Sequence, residues 1–128
     1  MSTDFLRELL AVLGPELHGA VALRERLHAN PEPSHGEHET AALIAKALGT
    51  PNTSHIARTG LTARVGSAVE PAVVVRAELD ALPVREATGA PFMATNGMMH
   101  ACGHDVHMAA LAAVFRAARG IEASLPRP

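Results

Sequence analysis

The chain has no tryptophan and no tyrosine, and its three phenylalanines leave aromatic residues at 2% of 128 positions. That removes the stacking platforms on which single-stranded nucleic acids are bound. Lys and Arg number 11 against 13 Asp and Glu, a formal net charge of −2. Nothing in that balance draws the chain to nucleic acid or to an anionic membrane. A single cysteine, Cys102, cannot close an internal disulfide and fits a reducing compartment. Long apolar runs are scarce as well. Asp4, Arg7 and Glu8 break the N-terminal apolar stripe, so that stripe is read as neither a signal peptide nor a membrane span. A cytoplasmic location is the expectation. What remains, 48% hydrophobic residues, is enough for one domain with its own core.

The richest chemistry sits in His100-Ala101-Cys102-Gly103-His104-Asp105-Val106-His107. A thiolate and an imidazole two residues apart can face one metal ion if the backbone between them is extended or turned. On a helix they would point roughly 200° apart, so the freedom of Gly103 matters. The apolar run Met108 to Phe115 then reads as a helix whose first turn carries Asp105 and His107, an acid being favoured near a helix start. Each piece has a plainer reading: a lone cysteine as a small buried hydrophobe, a histidine near a helix start as a solvated or capping residue. Cys-x-His is also a weaker signature than a paired Cys-x-x-Cys.

A second segment, Ala72 to Pro83 (AVVVRAELDALP), supports the first. The β-branched run Val73-Val74-Val75 suits a strand interior, and its continuous apolarity predicts a central strand covered on both faces, as in α/β proteins. Glu78 and Asp80 follow at strand spacing before Pro83 ends ladder pairing. Ligands of open α/β sheets gather beyond the carboxyl ends of strands, where these acids fall.

With these residues in view, the chain resembles the M20 metallopeptidases, in the branch of N-acyl-amino-acid amidohydrolases, hippurate hydrolases and auxin-conjugate hydrolases. The resemblance lies in RAELDALP and GMMHACGHDVHMAAL, with LHANPEPSHGEHETAALIAKAL (Leu27 to Leu48) and Arg58-Thr59-Gly60-Leu61 upstream. It runs from about Val21 to Arg116, and HACGHD is its most specific part. It implies an α/β fold: part of a three-layer sandwich of a zinc-peptidase-like catalytic domain, with helices packed on a truncated mixed sheet. It implies divalent metal ions, zinc or manganese, two in a complete family site. Cys102 and His104 match the cysteine and histidine that ligate them. Asp80 matches an acid that supports the site by fixing a ligand's orientation. Glu78 stands where the branch usually has aspartate, its extra methylene carrying the carboxylate further out.

The implied reaction is hydrolysis of the amide of an N-acyl amino acid or similar conjugate. Family members also carry a glutamate pair, which supplies the general base and a ligand, and two further histidine ligands. All lie beyond the helix that follows HACGHD. The expectation is therefore that residues 1–128 are an N-terminal part of the catalytic domain, without the second lid or dimerisation domain and inactive alone, with a bare sheet edge through which copies associate. The alternative is a non-catalytic metal-binding or interaction module derived from that fold, using Glu78 as a makeshift third ligand.

Punctuation and period give the remaining organisation. Helices are expected over Asp4 to Leu13, ending at Gly14-Pro15, over Glu16 to His28, as a second stretch or a kinked continuation, and over Gly36 to Leu48, closed by Gly49. Asn30 to Ser34 is a loop, because two prolines forbid regular pairing. Leu61 to Val65 alternates as a strand, Ala72 to Ala77 forms another, and Gly89 to Met99 is loop. Of the eight histidines, His18, His35, His38 and His55 read as surface residues. His28 reads as a packing and hydrogen-bonding residue, and His100 as bonded to its loop. Asp105 and His107 read as helix capping and local hydrogen bonding.

Overall fold

Phe5, Leu6, Leu9, Leu10 and Leu13 lie at helical spacing, and helix α1 (Thr3–Leu13) forms on them. This is a computed structural model, and it describes residues 3–67, 69 and 71–125. Helix α1 ends at Leu13, where Gly14-Pro15 was expected to close it. The chain passes through a 3-10 turn, Gly14–Glu16, directly into α2 (Leu17–Ala29). Proline is tolerated there because the first N–H groups of a helical turn have no internal partner.

Helix α3 (His38–Leu48) starts two residues later than its apolar pattern predicts. Its flanking residue Glu37 provides no side-chain cap. The Glu32 carboxylate does so instead, accepting from the N–H groups of Glu39 (3.2 Å) and Thr40 (2.7 Å). An acid at this end also meets the positive pole of the helix. At the other end Gly49, at φ 63°, closes the helix in the left-handed region, where a side chain is costly.

Strand β1 (Thr53–Ile56) pairs antiparallel with β2 (Gly60–Ala63), Thr53 opposite Ala63 and Ile56 opposite Gly60. The second strand was expected and the first was not, its polar Thr-Ser-His start hiding it. The Thr59 hydroxyl ties the hairpin turn to α3, donating to Glu37 Oε2 at 2.6 Å. Burial pulls the Glu37 carboxyl upward, but this bond and neighbouring backbone bonds outweigh it and hold it below the usual carboxylate range.

The architecture is mixed α/β, and its sheet corrects the expectation. Among the described residues it is this two-stranded antiparallel hairpin, not a mixed sheet. No strand forms over Ala72 to Ala77, and Val73, Val74 and Val75 are 69%, 86% and 64% exposed. A continuous apolar run makes a strand only when neighbours supply the ladder and cover both faces, and here none does. Pairing resumes at two isolated bridges, Pro33 with Ala81 in parallel and Leu82 with Met99 antiparallel. The first, through Ala81 N–H to Glu32 carbonyl at 2.8 Å, anchors the chain just after Asp80.

The long helix α4 (His104–Gly120) crosses this assembly. Its Met108, Ala109, Ala112 and Ala113 pack against Ala20, Leu23 and Leu27 of α2 and Ile44 and Leu48 of α3. Alanines on that face let the helices approach closely. Arg116 locks the far end, donating to Glu16 (2.5 Å) and to the Ala47 carbonyl (2.7 Å).

Leu27 is 1% exposed at the centre of this cluster. Leu27→Ala should cost about 2–5 kcal/mol, the range for a buried leucine whose cavity collapses only in part. Urea unfolding followed by circular dichroism would measure it, and a loss within error of zero would remove Leu27 from the core.

Candidate metal centre

Gly103, at φ 78°, turns the chain between Cys102 and α4, the conformation that the Cys-Gly-His spacing called for. Cys102 is exposed. The next ring, on His104, turns toward the segment that carries the acids: Nδ1 lies 2.9 Å from the Asp80 carbonyl oxygen and 3.2 Å from Asp80 Oδ1. A carbonyl oxygen can only accept, so Nδ1 carries the proton and donates, leaving Nε2 as the nitrogen with a lone pair for a cation. A carboxylate behind the imidazole is how metal-ligating histidines are commonly oriented.

The donor chemistry of this turn, one imidazole and one thiol, suits zinc and similar borderline cations. The number of donors falls short. Among the described residues no three His, Cys, Asp or Glu side chains come together as a metal-binding group. Glu78 pairs instead with Arg76 at 3.0 Å, both side chains well exposed. His107 is exposed, its ring centroid 6.2 Å from that of His104.

Asp105 departs from its expected local role. It is 1% exposed and reaches across to α2, where its Oδ2 accepts from Arg24 Nε (2.8 Å) and His28 Nδ1 (2.7 Å). His28 Nε2 donates in turn to Glu86 Oε1 at 3.0 Å. The ring thus bridges two carboxylates, one of which Arg24 also holds. Glu86 also accepts from the Thr88 hydroxyl and from the Ala94 N–H (2.7 Å). The Thr88 hydroxyl above all, with His28 and Ala94, outweighs burial and lowers its pKa from 4.5 to about 2. Arg24 lies 4.7 Å over the Phe92 ring, and His28 meets the same ring edge-on.

Sequence reasoning passed over Arg24 and Glu86 altogether. A signal was present for one of them. Arg24 and His28 are four residues apart and adjoin the apolar stripe of Leu23 and Leu27, a polar pair at helical spacing that needs an acid to meet it. His100 also differs from expectation. It is 3% exposed, and neither ring nitrogen makes a well-formed hydrogen bond among the described residues. Burial holds its pKa below the ordinary histidine value. The ring borders a cavity of about 340 Å³, whose lining also includes Arg24, His28, Glu86, Phe92 and Asp105.

The structure is thus a mixed α/β unit that carries an exposed thiol and an imidazole ahead of a long helix, with the Asp80 carboxylate beside the imidazole. Comparison with known proteins narrows the class. Residues 74–128, which include Asp80, Cys102 and His104, match the sequence profile described as Peptidase family M20/M25/M40. The chain is 44% identical over 96 residues to the N-acetyl-L-cysteine deacetylase of Bacillus subtilis, covering 71% of this chain and 23% of that protein. It is 41% identical over 93 residues to an IAA-amino acid hydrolase of Arabidopsis thaliana, covering 70% and 20%. To the N-acetyldiaminopimelate deacetylase of Limosilactobacillus fermentum it is 39% identical over 97 residues, covering 69% and 25%. Among solved structures it matches a protein designated an aminohydrolase, from methicillin-resistant Staphylococcus aureus. There the TM-score is 0.79 at 28% identity, over 94% of this chain and 32% of that one. The chain is a relative of the M20 peptidases, on their amidohydrolase side, and spans a fifth to a quarter of the length of these curated relatives.

The depressed Glu86 carboxyl has a consequence for acid stability. Between pH about 4.5 and about 2 the unfolded chain takes up a proton that the folded chain refuses, so stability falls as pH falls through that window. Glu86→Gln has no such proton to take up. Urea unfolding at pH 6 and pH 3 should show a smaller loss of stability on acidification for the variant than for the parent. Equal losses would remove Glu86 as a source of the acid sensitivity.

Proposed function

We propose that this chain is the part of an M20-type amidohydrolase catalytic domain that supplies Cys102 and His104 as metal donors and Asp80 as the residue that orients His104. One observation carries the reading: His104 donates from Nδ1 to Asp80 and so keeps Nε2 free, two residues from an exposed thiol. The cation is a divalent ion, zinc or manganese, two in the complete site. When bound, such ions polarise a scissile carbonyl and lower the pKa of a bound water. The substrate of the complete protein is an N-acyl amino acid, hydrolysed to a carboxylic acid and an amino acid, in the cytoplasm. Deacetylases and an amino-acid conjugate hydrolase among the relatives support that class. The rest of the domain, with a second lid or dimerisation domain, supplies the remaining ligands and the general base.

Two donors bind weakly, and the thiolate dominates such a pair. Zinc titrated under reducing conditions should bind the chain in a manner that Cys102→Ser largely abolishes, while equal affinity in both proteins would sink the assignment. Hydrolysis should not follow from binding, because general-base catalysis is worth roughly 10²–10⁴-fold and needs a placed base. Hippurate and N-acetyl amino acids, assayed with zinc or manganese, should turn over no faster than with the metal alone. Turnover that disappears in His104→Ala would show instead that the chain builds a working site unaided.

The exposed Val73-Val74-Val75 run also supports association between copies, since unpaired β-branched backbone is a template for pairing. Sedimentation should show oligomers that Val74→Lys reduces. A clean monomer of the parent at the same concentration would remove association from the reading.

A further inference from the structure

The turn that presents Cys102 and His104 is held from outside. Gly103, which opens α4, offers no side-chain cap. The second residue of the helix, Asp105, does the holding. Its Oδ2 takes one hydrogen bond from Arg24 Nε and one from His28 Nδ1. Those donors stand four residues apart on α2 and so share a face. Two converging charge-assisted bonds fix a carboxylate in direction as well as distance. Glu86 holds the far side of the His28 ring at 3.0 Å, so the clamp cannot swing without breaking a second bond.

His104 immediately precedes Asp105 and points elsewhere, toward Asp80. Neighbouring residues on a helix are about 100° apart in rotation. One first turn therefore has two contacts in two directions, and rotation of α4 about its axis that loosens the Asp105 clamp also breaks the bond to Asp80. Without that bond nothing selects the Nδ1–H form of the ring.

We propose that Asp105 is a positioning residue: clamped between Arg24 and His28, it sets the rotation of the first turn of α4 and so holds His104 in the Nδ1–H form, which leaves the lone pair on Nε2. Its bearing on cation binding rests on the reading of Cys102 and His104 as metal donors.

The test uses the full chain and two readouts. The ring tautomer of His104 is read from ¹H–¹⁵N NMR, assigned with His104→Gln. Cobalt(II) is titrated and followed by its thiolate charge-transfer absorption. Asp105→Asn and Arg24→Gln are compared with Met108→Ala, a core change one turn further along the same helix. The expected result is a Nδ1–H ring in the parent and in Met108→Ala, and loss of that selection in the other two. Cobalt affinity should drop about 10–100-fold in Asp105→Asn and Arg24→Gln, the usual cost of losing a ligand's support. The parental tautomer in folded Asp105→Asn and Arg24→Gln would overturn the proposal. Its loss in Met108→Ala as well would do the same, by showing a general effect of stability. Should Asp105→Asn not fold, Arg24→Gln decides alone, since that side chain is 31% exposed. A parent chain that shows the tautomer and its dependence on Asp105, but no thiolate absorption, leaves the positioning intact and removes the metal reading.

Discussion

The buried polar cluster of Arg24, His28, Glu86 and Asp105 is the constraint on which the rest of this structure turns. It joins helix α2 to the loop that carries Glu86, 58 residues further along the chain, and to the first turn of α4, 77 to 81 residues further along. Asp105 and Glu86 are both buried. Charges taken out of water are costly unless each finds partners of opposite sign and hydrogen bonds for its remaining atoms. Here each carboxylate accepts at least two bonds, and the arrangement admits few alternatives. Removing one member of such a set leaves its partner uncompensated, typically at about 3–5 kcal/mol. An apolar contact would tolerate sliding; this one does not. The small residues on α4 allow the helices to come close, and the ionic contact settles where along their length they meet.

The same cluster explains why the candidate site lies where it does. The bridge at Ala81 ties the residue after Asp80 to the loop that follows α2. The clamp on Asp105 ties the residue after His104 to α2 itself. Asp80 and His104 are thus each fixed through a neighbour, and α2 with its following loop is the common reference for both. The meeting of the His104 ring with Asp80 is thus framed by contacts of α2 and its following loop.

What the sequence disclosed divides along the range of the interactions. The Cys-Gly-His turn was legible because its meaning is local: glycine permits the left-handed conformation that the spacing of the two donors requires. Helices α1 to α4 were legible from the period of their apolar residues and from Gly49. Asp105 was misread because its sequence position suits a cap, while its partners lie on another helix. Glu86 gave no sign, sitting in a stretch with neither period nor motif. His100 was expected to bond its loop and is instead buried without a well-formed hydrogen bond among the described residues. The valine run was read correctly as strand-like in composition and wrongly as strand in fact. Composition reports what a segment can pair with, and only neighbours decide whether it does.

That valine run has tight boundaries. Pro71 has no N–H to give a ladder, and Arg76 places a charge at the other end, its side chain 79% exposed and paired with Glu78. Only Ala72 to Val75 lie between them. Fibril-forming segments run to about six or seven residues without proline or charge, and flanking residues of these kinds act as gatekeepers. A strand that docks on this backbone meets a proline at one end and an exposed charge at the other. The gatekeepers therefore leave the segment open to a specific neighbour and closed to the indefinite stacking that makes amyloid.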